Sequence, residues 1–257
     1  MSQPVSITGD EKDPLLFSVL TLMTRPEQYR EMLASFRAGG FDGPDTEYLL
    51  IDNSLGNRHD AYCGLRALIA QARGTYLILA HQDLLLLKDG MPVLRQRLSQ
   101  LDAIDPHWAV AGNSGLTAGG THYLRISDPH GDDQARGPFP ARVDSLDENF
   151  LVLRRAAMIS PSVGPTGFHF YGADLCLQAK LKGMKCYVID FHLRHLSGGK
   201  IDKSFEVSRD ALERAYHARL RGGLLHTTCD LLVVTASNPR FVFGRIFRRI
   251  LRRMRKY

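Results

Sequence analysis

The 257-residue sequence predicts an α/β fold in which helices flank a mostly parallel sheet. Short apolar runs alternate with stretches of helical periodicity along much of the chain, the pattern of successive β-α-β units. Several of these runs lack polar alternation, which is typical of strands buried on both faces. The composition, with 44% hydrophobic and 23% charged residues, is that of a globular protein and excludes a fibre, a disulfide scaffold and a disordered chain.

The first half of the chain predicts three βα units and a fourth strand. Pro26 suits the first turn of the first helix, Gly39-Gly40 ends that helix, and Gly74 ends the second. The predicted strands are 15–23, 47–51, 75–80 and 108–111, and the predicted helices are 27–38, 60–73 and 90–101.

The second half is less regular. Residues 112–145 are rich in Gly, Pro, Asp and His and predict long loops with room for one hairpin, as in many functional lids. Strands are then predicted at 148–153 and 185–190, and helices at 154–159, 173–182 and 204–221. The predicted organisation is a flexible leader (1–13), a domain (14–222, with halves 14–113 and 114–222) and a C-terminal extension (223–257) that ends in a basic amphipathic helix (241–257).

The charge is concentrated at one end of the chain. The net charge is +6, and residues 245–257 alone carry six Arg, one Lys and no acid, which leaves the rest at −1. A nearly neutral body lacks the spread basic face of a nucleic-acid-binding domain, so no nucleic-acid partner is expected. The four cysteines match no zinc pattern and are expected to be reduced thiols. No signal peptide is recognisable, and no apolar run approaches the ~20 residues that cross a bilayer. Together these features predict a cytoplasmic body.

Polar triplets follow two of the predicted strands. Asp52-Asn53-Ser54 ends the second strand and His81-Gln82-Asp83 ends the third. In open α/β sheets, ligands bind beyond the carboxyl ends of the strands. These triplets are therefore the first candidates for a ligand site.

Four stretches, in order, resemble nucleotide-sugar glycosyltransferases of the GT-A fold, in the large family 2-like group. They cover roughly residues 15–200. The stretches are LLFSVLTLMTRPEQYREMLASF, EYLLIDNS, GLRALIAQARGTYLILAHQDLLL, and VDSLDENFLVLRRAAM with HFYGADLCLQAKLKGMKCYVIDFHLRHLSGG. Two departures stand out: the expected D-x-D motif reads His81-Gln82-Asp83, and the usual Glu-Asp pair ahead of the D-L-C helix is absent, leaving Tyr171-Gly172-Ala173-Asp174. The chain resembles a subgroup with H-Q-D and Y-x-x-D-L-C forms.

The resemblance implies a divalent metal that bridges the donor diphosphate. It assigns Asp83 and the distal His195 as metal ligands, and an imidazole favours Mn²⁺ over Mg²⁺. Asp83 as a turn cap is the alternative. His81 is open between contacts to metal, sugar or phosphate and a bond to a backbone carbonyl.

The resemblance also implies a set of donor contacts. Asp52 is expected to accept from the base or ribose, with an Asx-turn as the alternative. Arg73 is open between the diphosphate and a solvated helix end. The full set of predicted nucleotide-sugar contacts is Thr24, Arg25, Asp52, Asn53, Arg73, His81 and Gln82.

Asp174 is the predicted general base, with a helix N-cap as the other interpretation of that residue. Asp147 and Glu148 are alternatives for the base. One base opposite the leaving group predicts inversion at the anomeric carbon. His169, Tyr171 and Trp108 are open between stacking on a sugar and ordinary packing, and His192 is expected to be a satisfied polar residue.

The C-terminal segment carries an apolar stripe at helical spacing between basic residues, which favours binding to an anionic membrane surface over packing on the body. The predicted membrane-facing cations are Arg245, Arg248, Arg249, Arg252 and Arg253. The sequence as a whole therefore predicts a metal-dependent, inverting glycosyltransferase on the inner face of the cytoplasmic membrane. Its expected substrates are a nucleotide-diphosphate sugar and a saccharide or lipid-linked acceptor in bacterial surface-glycan assembly. The alternatives are a non-catalytic GT-A scaffold and a nucleotidyltransferase.

Overall fold

The computed structural model describes residues 15–199, 201–217 and 223–234 of the chain. The predicted leader (1–13), the predicted basic helix (241–257) and the end of the helix predicted over 204–221 lie outside these residues. Among those described, no helix has the length and apolarity that crossing a bilayer requires. The predicted α/β architecture is confirmed, with sheets flanked by helices.

The helices and strands are numbered here in chain order. The strands are β1 (Phe17–Met23), β2 (Thr46–Asp52), β3 (Tyr76–Ala80), β4 (Leu84–Leu86), β5 (Trp108–Gly112), β6 (Ser114–Leu116), β7 (His122–Asp128), β8 (Gly131–Arg136), β9 (Ala141–Val143), β10 (Ser145–Leu146), β11 (Phe150–Arg154), β12 (Lys185–Val188), β13 (Leu193–His195), β14 (Gly223–His226) and β15 (Leu231–Val234). The α-helices are α1 (Pro26–Ala38), α2 (Ala61–Gln71), α3 (Met91–Ile104), α4 (Tyr171–Leu181) and α5 (Lys203–His217). The helix predicted at 154–159 is a single 3₁₀ turn, Arg155–Ala157.

The main sheet has seven strands in the order β2-β1-β3-β11-β5-β12-β9. Strands β2, β1 and β3 are parallel, as are β5 and β12, whereas β11 is antiparallel to both of its neighbours. Alternate residues of β3 enter different cores. Leu79 packs with α2 and α4 on one face, and Ile78 packs with α1 and α3 on the other. Burial of both faces explains the unbroken apolar runs of the sequence.

The prediction that residues 112–145 form long loops is wrong. Strands β6 to β10 fill this stretch, and most of them build a second sheet in the order β10-β6-β7-β13-β4. Strand β8 also pairs with β7 but lies off this order. These strands are short or polar on one face, and β8 (GDDQAR) contains no large apolar residue. The β6–β7 and β7–β8 pairs are local hairpins, whereas β10, β13 and β4 pair with segments farther along the chain. Strands this short or this polar give little periodicity, so the sequence did not reveal them.

The last described elements pack on the body. Strands β14 and β15 form a hairpin, and Leu225 and Leu232 bury against Phe205, Leu212 and Tyr216. Arg209 of α5 forms a nearly buried ion pair with Asp230 of the hairpin, at 2.9 Å. The hairpin is thereby held against α5 and α4.

Candidate functional site

A cavity of about 740 Å³ opens at the carboxyl ends of β1 and β3. This is the edge at which α/β sheets bind ligands. The second sheet contributes β7, the start of α4 closes another side, and the β14–β15 turn reaches the rim. Segments from both halves of the chain and from the hairpin therefore meet at one place.

The cavity is lined by a cluster of three potential metal ligands, His81, Asp83 and His195. One ligand atom of each residue lies within 4.8 Å of those of the other two. His81 Nδ1 lies 3.4 Å from His195 Nε2, which in turn lies 3.3 Å from an Asp83 carboxylate oxygen. Asp83 and His195, predicted separately, thus lie together, and His81 joins them.

Strand pairing assembles the cluster. β13 runs antiparallel to β4, so that His195 pairs with Leu84, next to Asp83. The backbone N–H of His81 donates to the carbonyl of Asn149 at the start of β11, which fixes the end of β3. Three backbone segments hold the three side chains, so the arrangement is preorganised.

The charges of the cluster depend on one another. Burial opposes ionisation of Asp83, but the hydrogen bond and charge of His195 outweigh burial and hold the pKa of Asp83 well below its usual range. The same contact raises the pKa of His195 against the effect of burial. Burial and the charge of His195 lower the pKa of His81 to about 4, so this imidazole is neutral near pH 7.

These residues fit a divalent cation. Each imidazole offers a nitrogen lone pair once it is neutral, and the carboxylate is already ionised. Two imidazoles and one carboxylate leave several coordination positions for phosphate oxygens and water, and they suit Mn²⁺ better than Mg²⁺. The donor set therefore agrees with a metal that also contacts a substrate.

Gln82, which follows β3, forms hydrogen bonds to the residues that follow β1. Its side-chain oxygen accepts hydrogen bonds from the backbone N–H groups of Thr24 and Arg25, at 2.8 and 2.7 Å, and its amide nitrogen donates to Thr24 Oγ1. All three residues line the cavity. Arg25 is the one Arg or Lys among the described lining residues, so it adds a cationic residue to the cavity wall.

Asp52 and Asn53 sit beside this region but not in the described lining. Pairing of Met23 with Asp52 places the end of β2 next to Thr24. The Asp52 carboxylate accepts from the N–H of Ser54, which is the predicted Asx-turn, and the residue is exposed. The Asn53 amide bonds both backbone groups of His59 and holds the loop before α2.

Arg73 lies at the opposite, amino edge of the sheet. It follows α2 and precedes β3, and its guanidinium pairs with Glu47 at 2.9 Å. Glu47 also accepts from Ser18 at 2.6 Å. The structure therefore places Arg73 away from the cavity that it was expected to reach.

Asp174 is likewise not part of the described cavity lining. It is fully buried in the first turn of α4. Its carboxylate accepts from the N–H and hydroxyl of Ser162, at 2.6 and 2.7 Å, and from the Tyr216 hydroxyl at 2.7 Å. In this position the carboxylate joins α4, α5 and the 160s loop and does not face a substrate.

The alternatives Asp147 and Glu148 both line the cavity. Hydrogen bonds from Asn149 and Thr228 lower the pKa of Asp147 even though burial opposes this. Burial and the adjacent Asp147 charge raise the pKa of Glu148 to about 8, although hydrogen bonding from the backbone of Phe170 and Gly172 partly opposes the rise. Two neighbouring carboxyls thus have separated pKa values, the pattern of acid–base sites.

Gly172 allows the start of α4 to pack closely against β10. A Cβ at this position would lie 2.5 Å from the carbonyl oxygen of Leu146, so α4 can approach β10 only with a glycine here. An aspartate side chain has no room at position 172. The carboxyl at the start of α4 comes instead from Glu148, on the connection between β10 and β11.

Sequence reasoning missed two parts of the site. Tyr171, left open between sugar stacking and ordinary packing, contacts His81 Nε2 at 2.8 Å and donates to the carbonyl of Glu148 at 3.0 Å. Thr227, Thr228 and Cys229 of the hairpin turn line the cavity. The turn signal between LLH and LLVV was the available clue to the hairpin, but nothing local indicated where it packs.

Of the other aromatic and histidine candidates, one lines the cavity and two make structural contacts. His169 lines the cavity and packs against Phe205, whereas Trp108 is buried and donates to Asp102. His192 meets Ser127 at 2.9 Å, as expected of a satisfied polar residue. The predicted membrane-facing arginines of the tail lie outside the described residues.

Comparison with known proteins bears on both the family and the fold of the chain. No protein-family model matches the chain. The Fuscovulum blasticum protein named "ATP synthase subunits region ORF 6" is 36% identical over 232 residues, covering 87% of this chain and 92% of that protein. S. aureus TarS, solved as residues 1–349 in complex with UDP-GlcNAc, superposes with a TM-score of 0.53 at 11% identity, over 79% of this chain and 67% of that one. This likeness confirms the GT-A fold.

Proposed function

The chain belongs to the same family as the Fuscovulum blasticum protein, and on its GT-A fold we propose that it is a metal-dependent, inverting glycosyltransferase. The observation that carries this proposal is the His81, Asp83 and His195 cluster in a cavity at the carboxyl edge of the sheet. A metal there would lie where α/β folds bind phosphates. The donor of the proposed reaction is a nucleotide-diphosphate sugar, the class of molecule present in the complex of TarS with UDP-GlcNAc.

The residues around the cavity have different proposed roles in binding the donor. His81, Asp83 and His195 would hold Mn²⁺, which supplies Lewis-acid stabilisation of the departing diphosphate. Arg25 adds a second positive charge, and Gln82 fixes the loop that carries it. Asp52 at the end of β2 remains the proposed contact for the nucleoside.

The reaction forms one bond and breaks one bond. The acceptor hydroxyl oxygen attacks the anomeric carbon, and the bond from that carbon to the diphosphate oxygen breaks. The bonding electrons leave with the nucleoside diphosphate. The proton of the acceptor hydroxyl passes to a carboxylate on the opposite side of the sugar, which inverts the anomeric centre.

Glu148 is our choice for this carboxylate. Asp174 is enclosed by its own hydrogen bonds, and Asp147 is engaged with Asn149 and Thr228. Glu148 lines the cavity and carries a pKa of about 8, which gives it the basicity to take a proton from a hydroxyl as attack proceeds. Because only the ionised form is active as a base, transfer should accelerate as the pH rises through about 8.

The proposed acceptor is a saccharide, free or linked to lipid. A lipid-linked acceptor would agree with attachment of the basic tail (245–257) to an anionic membrane surface. Assembly of bacterial surface glycans is the setting that we propose.

Release of nucleoside diphosphate tests the proposal. The full chain is incubated with UDP-, GDP- and dTDP-sugars in Mn²⁺, in Mg²⁺ and in EDTA. We expect diphosphate release with at least one donor, more with Mn²⁺ than with Mg²⁺ and none in EDTA. Asp83→Asn should abolish release, and Glu31→Gln on the exposed face of α1 is the matched control.

The two alternatives have distinct outcomes in the same assay. Metal-dependent binding of a nucleotide sugar without release of diphosphate would indicate a non-catalytic scaffold. When a nucleoside triphosphate and a sugar 1-phosphate are supplied in place of the nucleotide sugars, formation of a nucleotide-sugar with release of pyrophosphate would indicate a nucleotidyltransferase.

A further inference from the structure

The hairpin turn, residues 227–230, belongs to the wall of the cavity. Thr227, Thr228 and Cys229 line it next to Asp147 and Glu148. The Thr228 hydroxyl lies 2.7 Å from an Asp147 carboxylate oxygen, so the turn is in direct contact with one of these two carboxyls. The turn therefore borders the proposed base and not the donor loop at Thr24 and Arg25.

The turn is rigidly built. Thr227 Oγ1 donates to the carbonyl of Asp230 at 2.8 Å and accepts from its N–H at 2.7 Å. The Asp230 carboxylate pairs with Arg209, and the Ser145 hydroxyl donates to the carbonyl of His226. Anchoring on both sides makes the turn a fixed part of the wall, because closing and opening would break buried polar contacts.

Thr228 has a defined hydrogen-bond polarity. Its hydroxyl donates to Asp147 Oδ2 at 2.7 Å, while the other oxygen of that carboxylate accepts from Asn149. Since an ionised carboxylate only accepts, the Thr228 oxygen can only accept from a ligand. The nearby Cys229 sulfur, at 3.5 Å, is a weak competing donor. The wall thus presents an acceptor that matches an incoming O–H group.

We propose that the hairpin turn is the acceptor-binding wall of the cavity and that Thr228 accepts a hydrogen bond from a hydroxyl of a saccharide acceptor. The proposal rests on the proposed function, since it names the acceptor site of that reaction. Thr228 is a specificity-determining residue in this scheme, and Glu148 beside it receives the proton.

The experiment compares Thr228→Val, which keeps the shape and removes the hydroxyl, with Thr228→Ser, which keeps the hydroxyl. Methyl glycosides of glucose, galactose and N-acetylglucosamine are the acceptor probes. Donor consumption with Mn²⁺ gives the KM of donor and acceptor separately. Saturation-transfer NMR reports glycoside binding to the same full-length proteins without need of turnover.

We expect Thr228→Val to raise the acceptor KM about five- to tenfold, the loss of one hydrogen bond, with the donor KM unchanged. Thr228→Ser should stay within about twofold of the original chain. The NMR signal of the bound glycoside should weaken in the valine variant alone.

Three results would overturn the proposal: an unchanged acceptor KM in Thr228→Val, an equal rise in donor KM, or glycosides that neither bind nor stimulate donor consumption by the original chain. Failure of the proposed function is distinguishable, because the original chain would then bind glycosides in the NMR experiment but consume no donor.

Discussion

Replacing Glu148 by glutamine should stabilise the fold while it abolishes transfer. The glutamine keeps the size of the side chain and removes a charge that the fold disfavours. The pKa of Glu148 moves from 4.5 to about 8, so the folded chain binds this proton more tightly than the unfolded chain. Linkage then makes the ionised carboxyl destabilising as the pH rises from about 4.5 to about 8, with no further change above that range.

The structure sets the size of this effect. A shift of this extent corresponds to an upper bound of about 3 kcal/mol at pH 7. Glu148 is only partly enclosed because one side of it faces the cavity, and water there reduces the value to on the order of 1–2 kcal/mol. For a chain of this length, that gain should raise the Tm by roughly 3–6 °C.

The assay is thermal unfolding in EDTA at pH 5, 7 and 8. The gain from Glu148→Gln should be small at pH 5 and largest at pH 8, whereas Glu31→Gln on the exposed face of α1 should change the Tm little at any pH. A variant that is less stable than the original chain, or a gain that does not grow with pH, would refute the reasoning. Loss of activity together with gain of stability is the result expected when a functional residue is replaced.

Three further predictions follow from local geometry and charge. Gly172→Ala should destabilise the fold by about 2 kcal/mol or more in urea unfolding, because its Cβ would lie 2.5 Å from the Leu146 carbonyl oxygen; an unchanged midpoint would contradict this. Gln82→Ala should free the Thr24 loop and raise the donor KM about tenfold with less effect on acceptor KM, and equal effects on both would argue against it. Replacing the five predicted membrane-facing arginines by glutamine should abolish sedimentation with vesicles of anionic phosphatidylglycerol, and undiminished sedimentation would exclude the tail as the anchor.

The local sequence predicted the strands that consist largely of apolar residues. The apolar runs of β1, β3 and β5, buried between helices, stood out without any partner. The second sheet did not, because its strands are short or polar and several of them pair with segments far along the chain. The same limit hid the antiparallel direction of β11, which no periodicity encodes.

The site was predictable where chemistry and strand ends coincide. Asp83 follows β3 directly, and His195 was supplied by resemblance to a known family. The sequence favoured Asp174 over Glu148 as the base, because it does not show the environments that distant residues give these two carboxyls. Ser162 and Tyr216 enclose Asp174, whereas Glu148 opens into the cavity. Only the folded chain separates the buried structural carboxylate from the one in the cavity.

The stereochemistry of transfer is the measurement that tests the account most directly. The full chain, Mn²⁺ and UDP-α-N-acetylglucosamine are incubated with methanol as a small acceptor, and after removal of the metal the methyl glycoside is identified by NMR. The same reaction is run with GDP- and dTDP-α-sugars. The account predicts a methyl β-glycoside from at least one donor, formed with Mn²⁺ and absent in EDTA and in Asp83→Asn. A methyl α-glycoside, a product formed equally in EDTA, or no glycoside from any donor would contradict it.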